Sequence, residues 1–416
     1  MNIAVSPPGI AVSTMAALML AVFTVSMGFG VLLPLLPFLI ERLLGAGADA
    51  AEISRATGLL TAIYTLALFL FAPVWGRLSD LFGRRVILLM GLICFGATAL
   101  VFSLTESVRD LYTERFLSGL FAAAVTPVAL AVIADLAADA DARARRLTFV
   151  TLAGIGGFLS GPMIGALLTG SSGAAGSIAV PLVATAVLAL LAAGAVAFTV
   201  PAASPGAASL KREHHLGDTD RWLVTRLLAL TFLVSAGVGV FEVGLALRGK
   251  QELGLTRADI AVMFTECSLV MIVVQTIVFS PWIRPETTRW LIAPAFAALA
   301  AGLFAVPYAS DLALMLAVVG LVAASAGILS PILTFWISSK SGAAQGAAFG
   351  TQTAAASLGA AVGSAAGGLL FNVAFLPNAS FVLVTALTAI GFLMSLPLPN
   401  RLASRKPGHP VPVTQT

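Results

Sequence analysis

A chain of 416 residues with 59% hydrophobic side chains, 10% charged ones and a mean hydropathy of +1.01 is unlike a water-soluble domain, in which charged residues approach a quarter. Its net charge of +4 comes without a basic run longer than two residues and without interleaved aromatics, which excludes a nucleic-acid surface. Charges fall in short clusters separated by about the length needed to cross roughly 30 Å of hydrocarbon. The alternation of barrel strands is absent, so helices must do the spanning.

In chain order, residues 1–40 carry no charge. That run is too long for a signal peptide and lacks a basic start, so it predicts a first span over 12–40. Uncharged stretches at 56–76, 86–105 and 116–134 each predict one helix. Stretches 147–210 and 341–400 hold 64 and 60 uncharged residues, far too many for one span. Each is broken midway, by Gly170-Ser171-Ser172-Gly173 and by Pro377-Asn378, and predicts two. Residues 222–247 are interrupted only by Arg226 and Glu242, and 260–283 only by Glu266, while 290–310 and 312–339 carry no charge. The sum is twelve helices. Cys94 and Cys267 lie in apolar stretches and read as small hydrophobes rather than a disulfide or metal pair. No metal cluster, phosphate loop or nucleophile–base constellation is visible, so neither a cofactor nor an enzyme is expected.

Placing the N-terminus in the cytoplasm puts 15 Lys and Arg in the inner connections and tail and 6 in the outer loops, which favours both termini inside the cell membrane. The longest hydrophilic segment, 201–221, with Lys211-Arg212-Glu213-His214-His215, reads as a linker. It divides the chain into a six-helix half at 1–200 and another at 222–400, with a cytoplasmic tail at 401–416. An internal repeat crosses it. Val25-Ser26-Met27-Gly28-Phe29-Gly30-Val31 recurs as Val234-Ser235-Ala236-Gly237-Val238-Gly239-Val240, Phe71-Ala72-Pro73 as Phe279-Ser280-Pro281, and Gly161 to Leu167 as Gly363 to Leu369. Two such halves are the plan of a secondary transporter with a site between them.

Between the second and third predicted helices runs Gly76-Arg77-Leu78-Ser79-Asp80-Leu81-Phe82-Gly83-Arg84-Arg85, a tight turn expected to bend at both glycines, with arginines facing anionic headgroups. This resembles the cytoplasmic signature of the major facilitator superfamily. The resemblance implies an all-α integral membrane fold, two six-helix halves with pseudo-twofold symmetry, and a gate cluster of Gly76, Asp80, Gly83, Arg84 and Arg85 with Asp135 that latches the halves on the cytoplasmic side. The second-half counterpart at 280–286 has lost the Gly-Arg-Arg form, so the latch is expected to be asymmetric.

Arg115 followed by Gly119 on the fourth helix matches a family pattern that is similar to sites implied in proton transfer. Glu114 projects about 100° away around the helix and is not expected to pair with Arg115. On the fifth helix, Gly157, Gly161, Pro162 and Gly165 let helices approach closely and bend the helix. Their spacing resembles the signature of the exporting antiporters of the family, with Ala166 where a second glycine is common.

Charged residues inside a membrane default to functional hypotheses. Glu242 and Glu266, on consecutive helices, are expected near one another and suited to exchanging a proton, with Arg115 completing the coupling set. The first helix has no acid, unlike several drug-exporting relatives. Candidate cavity liners are Tyr64, Gln275, Trp336 and Gln352. The reading is a monomeric secondary transporter whose partners are protons, the lipid bilayer and a small amphipathic substrate, which it exports by alternating access. The alternatives are an uptake permease for a sugar or organic acid, and a non-transporting scaffold or sensor on the same fold.

Overall fold

A computed structural model describes residues 11–45, 47–104, 107–136, 140–169, 179–202, 218–278, 285–340, 345–373, 376 and 378–403. The middle of the predicted linker, His214, His215 and His409, the repeat segment 279–281, the interrupting glycines at 170–173 and residues 404–416 lie outside the described residues. Everything regular among the described residues is helix. The helices are α1 (Val12–Leu32), α2 (Leu36–Leu44), α3 (Ala50–Phe82), α4 (Arg84–Phe102), α5 (Val108–Ala122), α6 (Thr126–Leu136), α7 (Ala140–Thr169), α8 (Ala179–Thr199), α9 (Asp218–Gln251), α10 (Arg257–Val278), α11 (Ile292–Ala305), α12 (Leu312–Lys340), α13 (Gln345–Leu369), α14 (Ala379–Ser395) and the short α15 (Leu398–Ala403). Short 3-10 turns, Pro285–Leu291 and Val306–Tyr308, flank α11.

Ten stretches among the described residues are long and apolar enough to cross a membrane. With α1 joined to α2 and α5 to α6, and with α13 and α14 added, the helices form twelve rods. The fourth rod begins at Val108, eight residues ahead of the stretch expected from charge alone. That earlier start carries Glu114 and Arg115 two turns inside the helix.

Polar side chains stay satisfied without water in two ways. Ser and Thr hydroxyls within spans donate back to the carbonyl four residues earlier, as Thr24, Thr57, Thr61, Thr185 and Thr388 do at 2.7–2.9 Å. At three helix starts a side chain caps the backbone: Asp49 accepts from Ala51 N, Ser107 from Arg109 N, and Asp259 from Thr256 N.

Helices α1 to α8 pack chiefly among themselves, led by α1 on α7 and α4 on α8. Helices α9 to α14 do likewise, led by α13 on α9 and α10 on α12. The two lobes meet where α3 packs on α13 and α7 on α10. The repeat seen in the sequence has a packing meaning. Gly157, Gly161 and Gly165 of α7 lie against backbone at Phe23, Met27 and Val31 of α1, where a Cβ on Gly161 would meet Met27 O at 2.7 Å. In the other lobe Gly359, Gly363 and Gly367 of α13 lie against Phe232, Ala236 and Val240 of α9. Both stripes step by four residues, which keeps small residues on one helix face. Helix α7 runs on through Pro162 to Thr169, and α3 through Pro73 to Phe82.

Candidate functional site

The charged cluster sits where α3 passes into α4. Gly83 alone makes the turn, at φ +92°, a conformation that favours glycine. Gly76 is a correction: it lies inside α3 with open space beside it, because a single left-handed residue suffices to reverse the chain here. Arg84 then reaches three oxygens, Asp80 Oδ1 at 2.6 Å, Asp135 Oδ2 at 3.1 Å and Ser79 Oγ at 2.5 Å. Arg85 donates to Ala197 O on α8. These partners all belong to the first lobe, so among the described residues the cluster ties α3, α4 and α6 together without crossing to the second lobe.

A second polar site is buried in the fourth rod. Arg115 Nε and Nη2 grip Glu114 Oε2 and Oε1 at 2.5 and 2.8 Å, and Ser118 Oγ donates to Glu114 Oε1 at 2.6 Å. Glu114 is 1% and Arg115 3% exposed. This corrects the expectation that the two would not pair. The angular argument concerns Cβ directions, whereas the three-carbon arm of Arg lets its guanidinium fold back across the helix face. The guanidinium also lies 5.3 Å from the centroid of the Tyr64 ring, a cation–π contact. Tyr64 stacks on Phe29 at 4.8 Å, and Phe29 on Phe158 at 5.9 Å.

The acids of the second lobe are differently placed. Glu242 on α9 and Glu266 on α10 are half-buried, and both lie within electrostatic reach of the buried Cys267 thiol. Glu266 sits at the margin of the open stripe of α10 that carries Val262, Leu269 and Val273. Its head points toward α12, where a Cβ on Gly320 would lie 3.6 Å from Oε1. Glu266 Oε2 is sealed from solvent without a hydrogen-bond partner among the described residues. Neither acid forms an ion pair among them. An uncompensated polar group in such surroundings is costly.

Two of the four expected cavity liners are corrected. Tyr64 is buried beneath Arg115, and Trp336 is buried with its indole N–H on Thr288 Oγ1 at 3.2 Å, because each ring finds a polar partner inside its own lobe. Gln352 donates to Thr334 Oγ1, and Gln275 is half-buried on α10.

At the end opposite Arg84 the lobes touch directly. A Cβ on Gly58 of α3 would meet Gly368 Cα of α13 at 2.6 Å. Asn372 Nδ2, just past α13, donates to Ser54 Oγ on α3 and Gln251 Oε1 on α9, each at 2.9 Å. Gln251 Nε2 donates in turn to Ala50 O at 3.2 Å. Lys250 Nζ pairs with Glu41 Oε2 and donates to Pro37 O, both at 2.7 Å, over the Phe38 ring. Of these residues only Gly368 was legible in the sequence, inside the repeat segment 363–369.

Two helical lobes, intrahelically satisfied hydroxyls and ionic groups set within the spans define a multi-pass membrane carrier. The chain belongs to the Major Facilitator Superfamily, whose family model matches residues 18–351. It is 27% identical over 389 residues to multidrug resistance protein 1 of Bacillus subtilis, covering 92% of this chain and 95% of that one. Over 156 residues, 37% of this chain and 36% of the relative, it is 33% identical to the class B tetracycline resistance protein of Escherichia coli. Among solved structures it superposes on a D-xylose–proton symporter with a TM-score of 0.76 at 14% identity, covering 95% of this chain and 99% of that one. That likeness is one of fold.

Proposed function

We propose that the chain exports small amphipathic compounds across the cell membrane in exchange for protons, by alternating access between its two lobes. The observation that carries this reading is the pair Glu242 and Glu266, acids set within the consecutive helices α9 and α10 without an ion pair among the described residues. An exchanger needs such a group within the membrane. Relatives named as multidrug resistance proteins that match most of the chain support the direction, and so does the glycine spacing of α7. The 15-to-6 excess of Lys and Arg assigns the Arg84 end and both termini to the cytoplasm, and with them the Glu41 end to the outside. Asp80, Arg84 and Asp135 then brace the cytoplasmic mouth of the first lobe.

The test is transport into inside-out vesicles with and without a pH gradient, using a fluorescent amphipathic dye selected by a growth screen. Glu266→Gln is expected to abolish gradient-driven accumulation while sparing dye-for-dye exchange. Full gradient-driven activity in that variant removes Glu266 from the coupling mechanism, and no dye movement by the parent chain removes the export reading itself.

A further inference from the structure

Alternating access requires each end of the lobe interface to separate in turn, so the bonds crossing that interface at one end oppose opening there. At the Glu41 end these bonds come from five elements. Glu41, Phe38 and the Pro37 carbonyl belong to α2, Ala50 and Ser54 to α3, Lys250 and Gln251 to the last turn of α9, Arg257 to the start of α10, and Asn372 to the chain after α13. Lys250 is the hub of one group. Its ammonium is shared between Glu41 Oε2 and Pro37 O, with the Phe38 ring centroid 5.0 Å away and the Arg257 guanidinium 5.3 Å from the same ring. Gln251, the next residue, is the hub of the other, joined to Ala50, Ser54 and Asn372. Adjacent residues of one helix terminus therefore hold two separate helices of the opposite lobe. Beneath them, Gly58 and Gly368 bring α3 and α13 into backbone contact, which only glycines at both places permit.

The partners of Arg84 at the other end lie within one lobe. The two charged clusters thus do different work: one stiffens a lobe, the other joins two lobes.

We propose that Glu41, Lys250, Ser54, Gln251 and Asn372 form a clasp that holds the lobes shut at the outer face, and that its release governs how often the interface opens outward. The clasp rests on the two-lobe fold and on the orientation proposed above, and is independent of cargo and of proton coupling. Glu41 is 55% and Lys250 11% exposed, so the ion pair is of the partly solvated kind whose loss shifts an equilibrium by a small factor rather than unfolding the chain.

Ser364, buried on α13 beside Gly239 and Gly58, reports on opening. In a Cys94→Ala, Cys267→Ala background, Ser364→Cys is labelled with a membrane-impermeant methanethiosulfonate added to the outside of intact cells and, separately, to inside-out vesicles. Glu41→Ala and Asn372→Ala are each expected to raise the outside labelling rate roughly 3-fold. Glu252→Gln serves as the control, since it neutralises an exposed acid at the same end whose partner, Arg248, lies in its own lobe; it is expected to leave the rate unchanged. Equal rates in the parent and both clasp variants, or no labelling in any of them, overturn the clasp. A rise seen only in inside-out vesicles overturns the orientation and leaves the interlobe bond standing. Dye transport does not enter either outcome, so a failure of the export reading is separately visible.

Discussion

At the scale of single residues, the fourth rod carries its own counter-charge. A guanidinium withdrawn from water without a partner would cost several kcal/mol, and Glu114 supplies both oxygens and a link to Ser118. Removing one member strands the other. Glu114→Ala is therefore expected to lower stability by about 3 kcal/mol, read as a lower midpoint of thermal unfolding in detergent, while Glu114→Gln combined with Arg115→Met recovers most of the loss. An unchanged midpoint in Glu114→Ala would mean that the pair contributes nothing to stability. Arg115 was legible in the sequence as an intramembrane cation, and its partner was not. Cβ directions on the helix set Glu114 about 100° from Arg115, and the uncharged stretch at 116–134 put both at the span's outer end. The rule that a charge inside a membrane needs a partner would have pointed to Glu114 had the helix been started at Val108.

At the scale of elements, the glycines of α7 hold α1 at backbone distance, and those of α13 hold α9 in the same way. Helices in lipid gain little from apolar burial against one another, so close packing and weak polar contacts must hold them. Added volume at such a seam is costly. Gly157→Ala places a methyl against the Phe23 carbonyl and is expected to cost about 1–3 kcal/mol, whereas Gly156→Ala points into open space and is expected to be neutral. Thermal unfolding of the two adjacent variants checks this, and equal midpoints would show that the stripe is not a contact surface. The repeat offsets were readable as a pattern. Their cause was not, since a one-dimensional match does not say which helix faces the stripe; the stripe in both lobes packs in the same way. Gly76 illustrates the opposite error: a glycine inside a motif was read as a bend, although the backbone there is ordinary helix.

At the scale of the whole molecule, hydropathy and charge spacing determined most of what is seen. Bilayer thickness and backbone satisfaction leave so few options that the number of rods and their division into lobes follow from counting. The bonds between lobes were illegible because their partners are far apart in the chain: Ser54 and Asn372 are separated by 318 positions, Pro37 and Lys250 by 213. No local periodicity encodes such a meeting. The fold nonetheless arranges these distant ends so that they meet at one face of the interface, while Glu242 and Glu266 lie in the second lobe without ion pairs among the described residues. A proton moving inward through 100 mV supplies roughly 2.3 kcal/mol, enough to shift the balance between the two openings by more than tenfold.

The central claim is that protons and cargo move in opposite directions through one carrier. Proteoliposomes loaded with the screened dye and a pH indicator, and diluted into dye-free buffer of equal pH, test it most directly. Dye efflux is expected to acidify the lumen, and the acidification is expected to disappear in Glu266→Gln. A lumen that becomes more alkaline as dye leaves, or that keeps its pH while dye flows at the full rate, would contradict the account.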